Sequence, residues 1–134
     1  MSEILYRVRY AHYAVLLATI FCLPFGKDKN SAITQEEFQV VLEKKTPIQI
    51  IDVRTESEFK SGHIANSVNV PISEIEKNSD TAKQILGLEK NMNTVIVCSA
   101  GGMRSQSGQK LLAEKGFQNV RYLEGGVLAF QKKQ

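Results

Sequence analysis

The chain has 134 residues, 43% of them hydrophobic and 23% charged. That is the composition of one packed domain, not of a disordered chain. Its net charge of +3 comes without a clustered basic stripe and argues against nucleic-acid binding, and the distant pair Cys22 and Cys98 signals neither a zinc site nor a disulfide framework.

The first element in chain order is an apolar segment over residues 1–26. Between Arg9 and Lys27 lie seventeen residues without a formal charge, YAHYAVLLATIFCLPFG. As a helix this run covers about 25 Å, just short of a hydrocarbon core of about 30 Å, and Arg7 and Arg9 can extend it by snorkelling. The expectation is membrane association through residues 4–26. The alternatives are a cleaved signal for export to the periplasm, or a helix packed on a cytoplasmic domain. Against cleavage, no small-x-small site follows the run. Basic residues flank it about equally, Arg7 and Arg9 against Lys27 and Lys29, so the charges set no orientation. Residues 27–31 are polar and read as a linker, and residues 32–134 form the domain.

Within the domain, Thr34 and Glu37 spell a T-x-x-E capping box, with Ile33 and Phe38 placed as a hydrophobic staple. Phe38, Val41 and Leu42 then recur at helical spacing and predict a helix over 35–45. Ile48 to Asp52, IQIID, is a β-branched run after Pro47 and predicts a strand. Ser67 to Pro71 predicts another, stopped by its proline. Ser73 and Glu76 spell a second T-x-x-E-like box opening a helical region to about Leu88. Thr94 to Val97, TVIV, lacks polar alternation, as a central parallel strand covered on both faces does. A helix follows over 105–115, with Gly116 as its left-handed end residue and Phe117 folding back onto Leu112. Val120 to Leu123 is a strand, and a last helix starts near Val127. Alternating strands and helices predict an α/β fold of three layers, a mostly parallel central sheet with helices on both faces. Ligands in such folds gather at the carboxyl ends of the strands, where Cys98 stands.

Cys98 is followed by Ser99, Ala100, Gly101, Gly102, Met103 and Arg104, and then by a helix. Two glycines permit positive φ and close backbone approach. A loop curled round the sulfur turns several N–H groups inward as an anion-binding nest, and the helix start and Arg104 add positive charge. Each favours the thiolate, which is the nucleophile. A lone cysteine ending a strand is more often a small buried hydrophobe; the glycines, the arginine and the helix start tilt the reading toward catalysis.

Three segments, IDVRTESEFKSGHIANSVNVP (Ile51 to Pro71), VIVCSAGGMRS (Val95 to Ser105) and YLEGGVLAF (Tyr122 to Phe130), resemble in that order the signature segments of single-domain rhodaneses. With its apolar N-terminus the chain is similar to the membrane-attached members. The resemblance implies a rhodanese-like fold over 32–134 and a sulfurtransferase acting through a persulfide on Cys98. The donor would be a small anion such as thiosulfate, and the acceptor a thiol, or cyanide in an assay. No metal or organic cofactor is implied. Arg104 would hold the donor's sulfonate, and Ser99, Ala100, Gly101, Gly102 and Met103 would supply the substrate loop. Asp52, Arg54, Glu58 and His63 would support the architecture, the charged residues by pairing, and Gly125 and Gly126 would make a turn before the last helix.

One departure opens a second reading. Small rhodaneses commonly space the cysteine and arginine as C-x-x-G-x-R, whereas Cys98 to Arg104 is C-x5-R. The longer loop resembles that of superfamily members acting on phosphate or arsenate, which makes a phosphatase or arsenate reductase the alternative enzyme. Such phosphatases place His before the cysteine, where this chain has Val97. A resolving thiol for arsenate would have to be Cys22, in the apolar N-terminus. A third reading is a non-catalytic sulfur-carrier or membrane-tethered module.

Overall fold

Thr94–Val97 is buried at every position, and it is the centre of the sheet. The structure is a computed structural model and describes residues 31–79 and 87–134. The expected apolar segment 1–26 lies outside the described residues, as does all of the linker except Ser31. Among the described residues no helix is long and apolar enough to cross a membrane.

The elements are β1 (Ala32–Ile33), α1 (Gln35–Glu43), β2 (Gln49–Asp52), α2 (Glu56–Lys60), β3 (Ser67–Asn69), α3 (Ile72–Lys77), β4 (Thr94–Val97), α4 (Met103–Glu114), β5 (Val120–Leu123) and α5 (Gly126–Lys132). The strands form one sheet in the order β1-β5-β4-β2-β3, and every pair is parallel. Register is set by runs such as Gln49 to Asp52 facing Thr94 to Val97.

Because side chains alternate along a strand, this sheet splits the core in two. Ile50, Val95, Val97 and Leu123 join Phe38 and Val41 of α1 and Val127 and Phe130 of α5. Phe38 and Phe130 meet edge to face with centroids 5.6 Å apart. Ile51, Ile96 and Val120 point the other way, to Ile75 of α3 and Leu112 of α4. Cys98 shares the parity of Ile96 and packs in that second cluster, under α4.

Over the described residues the expected elements of the domain are present, with local corrections; residues 80–86 of the helical region expected to about Leu88 lie outside them. Thr34 caps α1 as a full capping box with Glu37. The box read at Ser73 and Glu76 does not form. Pro71 occupies the N-cap, so Ser73 falls inside α3, which stops at Lys77 with Asn78 left-handed. An unforeseen helix, α2, is capped by Thr55 and Glu58. β1 was also not foreseen; two residues carry no pattern, and pairing with β5 defines them. The helix after the cysteine starts two residues early, at Met103, so Arg104 lies in its first turn. Its end is the expected Schellman turn, with Phe117 N donating to Leu112 O at 3.1 Å and Gly116 at φ +94°.

Candidate active site

Parallel strands bring their carboxyl ends to one edge of the sheet. The segments leaving β2, β4 and β5 therefore meet there, and they carry the Asp52–Arg54 turn, the cysteine loop and the Gly125–Gly126 turn.

Cys98 follows β4 directly, and it is 3% exposed. Burial pushes its thiol up. The Ser105 hydroxyl and the backbone N–H groups of Ala100, Gly102 and Ser105 outweigh that and hold it below the ordinary thiol value. The loop thus turns its amides onto the sulfur, as an anion nest does. Ser105 was missed in the sequence, although it stands directly after Arg104. It is fully buried, and it is among the groups that lower the Cys98 thiol.

Close backbone packing fixes the loop's shape. Gly101 has φ +70°, and a Cβ there would stand 2.5 Å from Leu123 O and 2.7 Å from Gly125 N. Gly126, at φ +61°, backs the loop from α5. Val127 N donates to Cys98 O at 2.9 Å and Leu128 N to Ser99 O at 3.0 Å. The late glycine pair is therefore more than a turn: it is the surface on which the cysteine loop rests. Gln35 ties that surface to α1, donating from Nε2 to Glu124 O and Gly126 O.

Arg104 is not a free arm. Its Nη1 meets Glu58 Oε2 at 2.9 Å, and its Nη2 meets Glu58 Oε1 at 3.0 Å and Ser99 Oγ at 2.7 Å. Ser99 Oγ donates in turn to Glu58 Oε1 at 2.9 Å. Arg104, with the Thr55 amide behind it, holds the Glu58 carboxyl well below the usual carboxylate range. Glu58 in turn raises the guanidinium above its ordinary value.

The expected charge pairing divides in two. Asp52 and Arg54 make a buried bidentate pair, with Nη2 to Oδ2 at 2.7 Å and Nε to Oδ1 at 3.0 Å, and Arg54 Nη2 also donates to Gly62 O at 2.8 Å. Glu58 is not in it; it serves Arg104 and the α2 cap. Removing one partner of a buried pair strands the other charge. Arg54→Met is therefore expected to cost about 3–5 kcal/mol, read as a lower urea midpoint at unchanged slope.

His63 is exposed, with its ring stacked 3.8 Å from Phe59 and Nδ1 2.9 Å from Phe59 O. Among the described residues both contacts belong to α2, which suits the supporting role expected of it. Ala100 and Gly102 are exposed and Met103 is 83% exposed, so they form the loop's outer rim. Among the described residues no group of three or more His, Cys, Asp or Glu is placed to hold a metal ion.

The rhodanese-like domain family matches residues 34–133. A rhodanese-like domain protein of Staphylococcus aureus is 34% identical in sequence and superposes with a TM-score of 0.62, covering 75% of this chain and 90% of that one. A human single-domain sulfurtransferase shares the fold at a TM-score of 0.65 and 22% identity, covering 77% and 96%. A tRNA uridine(34) hydroxylase of Aster yellows witches'-broom phytoplasma (strain AYWB) is 34% identical over 106 residues, which are 79% of this chain and 34% of that protein. The chain spans about a third or less of the length of the curated relatives it matches. A five-stranded parallel sheet with a cysteine loop at its carboxyl edge agrees with the family match, and the chain belongs to the rhodanese-like domain family.

Proposed function

We propose that the chain is a sulfurtransferase that moves sulfane sulfur from a donor to a thiophilic acceptor through a persulfide on Cys98. The observation that carries this is the cysteine loop at the carboxyl edge of the sheet, pinned by Val127 N and Leu128 N on the Cys98 and Ser99 carbonyls, with the Ala100, Gly102 and Ser105 amides lowering the Cys98 thiol. Such a nest stabilises a thiolate before reaction and a terminal persulfide sulfur after it.

With thiosulfate, the Cys98 thiolate attacks the outer sulfur. The Sγ–S bond forms, the sulfur–sulfur bond of the donor breaks, and its electron pair leaves with sulfite. A thiolate or cyanide then attacks the outer sulfur of the persulfide and returns Cys98 as a thiolate. No net oxidant is consumed, and the lowered Cys98 thiol favours the nucleophilic thiolate without a dedicated general base. Arg104, paired with Glu58, contributes its field to the loop and stiffens it from α2. The tRNA chemistry named for the phytoplasma relative belongs to a protein of which this chain spans 34%, and it is left with that protein.

The test is intact-mass analysis after mixing with thiosulfate. The expected result is a gain of one sulfur atom, mapped to Cys98, with sulfite released and the sulfur lost again on adding cyanide. The C-x5-R spacing makes the oxyanion enzyme the competing outcome. Turnover of an aryl phosphate or of arsenate, with no sulfur gained, would overturn the proposal in its favour.

A further inference from the structure

The guanidinium of Arg104 has five N–H donors in a planar fork. They present two parallel pairs that can grip an oxyanion, the Nη1–Nη2 end and the Nε–Nη2 side. Glu58 fills the first pair, with both of its oxygens. Ser99 Oγ accepts at 2.7 Å from Nη2, the nitrogen that the second pair shares with the first. The serine is held there by its own bond to Glu58 Oε1 and by its carbonyl, which accepts from Leu128 N. The donors left over, on Nε and Nη1, diverge. A tetrahedral oxyanion at this loop therefore meets an arginine with no parallel pair to offer.

The rim of the loop has the opposite character. Met103 is 83% exposed, and Leu128, whose amide is bonded to Ser99, is 53% exposed. Two exposed apolar side chains, one at the end of the loop and one on the turn of α5 bonded to it, suit the organic body of a donor better than a bare inorganic anion.

Resting on the sulfurtransferase reading, we propose that Ser99 is a positioning residue that sets donor specificity. Its hydroxyl closes Arg104 to tetrahedral oxyanions and biases the loop toward organic persulfides, R–S–SH. In that transfer the Cys98 thiolate attacks the outer sulfur and the Sγ–S bond forms. The sulfur–sulfur bond of the donor breaks, its electron pair leaves with R–S, and R–S takes the donor's proton. The products are R–SH and an ionised Cys98 persulfide, with no change in total oxidation state.

The test compares the wild type, Ser99→Ala and Ser99→Thr in two arms. One arm measures kcat/KM for thiosulfate and for glutathione persulfide. The other measures inorganic phosphate binding by calorimetry. Alanine opens the Nε–Nη2 pair, so phosphate is expected to bind about tenfold more tightly, the scale of one charge-assisted hydrogen bond. The thiosulfate-to-persulfide ratio is expected to rise by a similar factor, and threonine, which keeps the hydroxyl, stays with the wild type. A serine that merely supported the loop would lower both donors together and leave the ratio unmoved. An unchanged ratio, or phosphate bound equally by the alanine variant and the wild type, overturns the inference. If the wild type takes sulfur from neither donor, the sulfurtransferase reading falls, and the phosphate arm still decides whether Ser99 masks Arg104.

Discussion

Cys98→Ser is expected to take no sulfur from any donor and to lower turnover by roughly 10⁴-fold or more, the scale seen when a covalent nucleophile is removed. The substitution is nearly isosteric, so the fold and the ring of amides remain. What disappears is the ionisable group. The same nest that holds the Cys98 thiol below its ordinary value cannot ionise a serine hydroxyl near neutral pH. The sign of the pH dependence follows in the wild type. The reactive form is the deprotonated one, so the rate of persulfide formation rises with pH through the pKa of Cys98 and is flat above it. Because that pKa is lowered, the midpoint of the rise lies below that of an ordinary thiol. Stopped-flow measurement of sulfite release across pH checks this. A midpoint above that of an ordinary thiol would mean that burial, not the nest, governs the sulfur.

The cysteine loop was legible because its signals are local. Two glycines, an arginine and a helix start within seven residues dictate a tight anion-binding turn wherever they occur. The β4 strand was legible for the same reason: a threonine followed by three consecutive apolar residues has no polar face to turn to water. What escaped depends on contacts distant in sequence. Glu58 looked like a partner for Arg54, four residues away, yet it spans to Arg104 across the top of the sheet. The T-x-x-E spelling of Thr55 to Glu58 was in plain view, but the same spelling style at Ser73 to Glu76 fails because Pro71 caps that helix two residues earlier. Spelling alone does not tell a cap from a first turn; the extended ψ of the cap residue does, 162° at Thr34 and 156° at Thr55. Ser105 escaped because a serine inside an amphipathic helix has no local mark of burial. It becomes informative once α4 is laid over the sulfur.

Gly126→Ala tests the least legible of these contacts, and its effect is expected to be comparable to loss of the nucleophile's setting. A Cβ at this position would stand 2.3 Å from Cys98 O and 2.6 Å from Ser99 C and O. These are backbone atoms of the cysteine loop, so no side chain can swing aside. At φ +61° alanine also carries left-handed strain of about 1–2 kcal/mol. Relief requires α5 to retreat, which breaks the bonds from Val127 N and Leu128 N and leaves the Cys98 and Ser99 carbonyls free to turn. A peptide unit that rotates carries its N–H with it, so the amide ring loses its aim. Persulfide formation is expected to fall by about 100-fold or more, the loss typical of a misaimed anion-stabilising donor, with a clear drop in melting temperature. Gly102→Ala is the matched control. It lies in the same loop at φ −95°, and a Cβ there meets nothing within 4 Å, so near-wild-type stability is expected. Both changes add the same methyl group to a glycine at the site. If the two variants transfer sulfur equally well, the support that α5 gives the loop is dispensable, and the local cysteine motif is sufficient by itself to aim its amides.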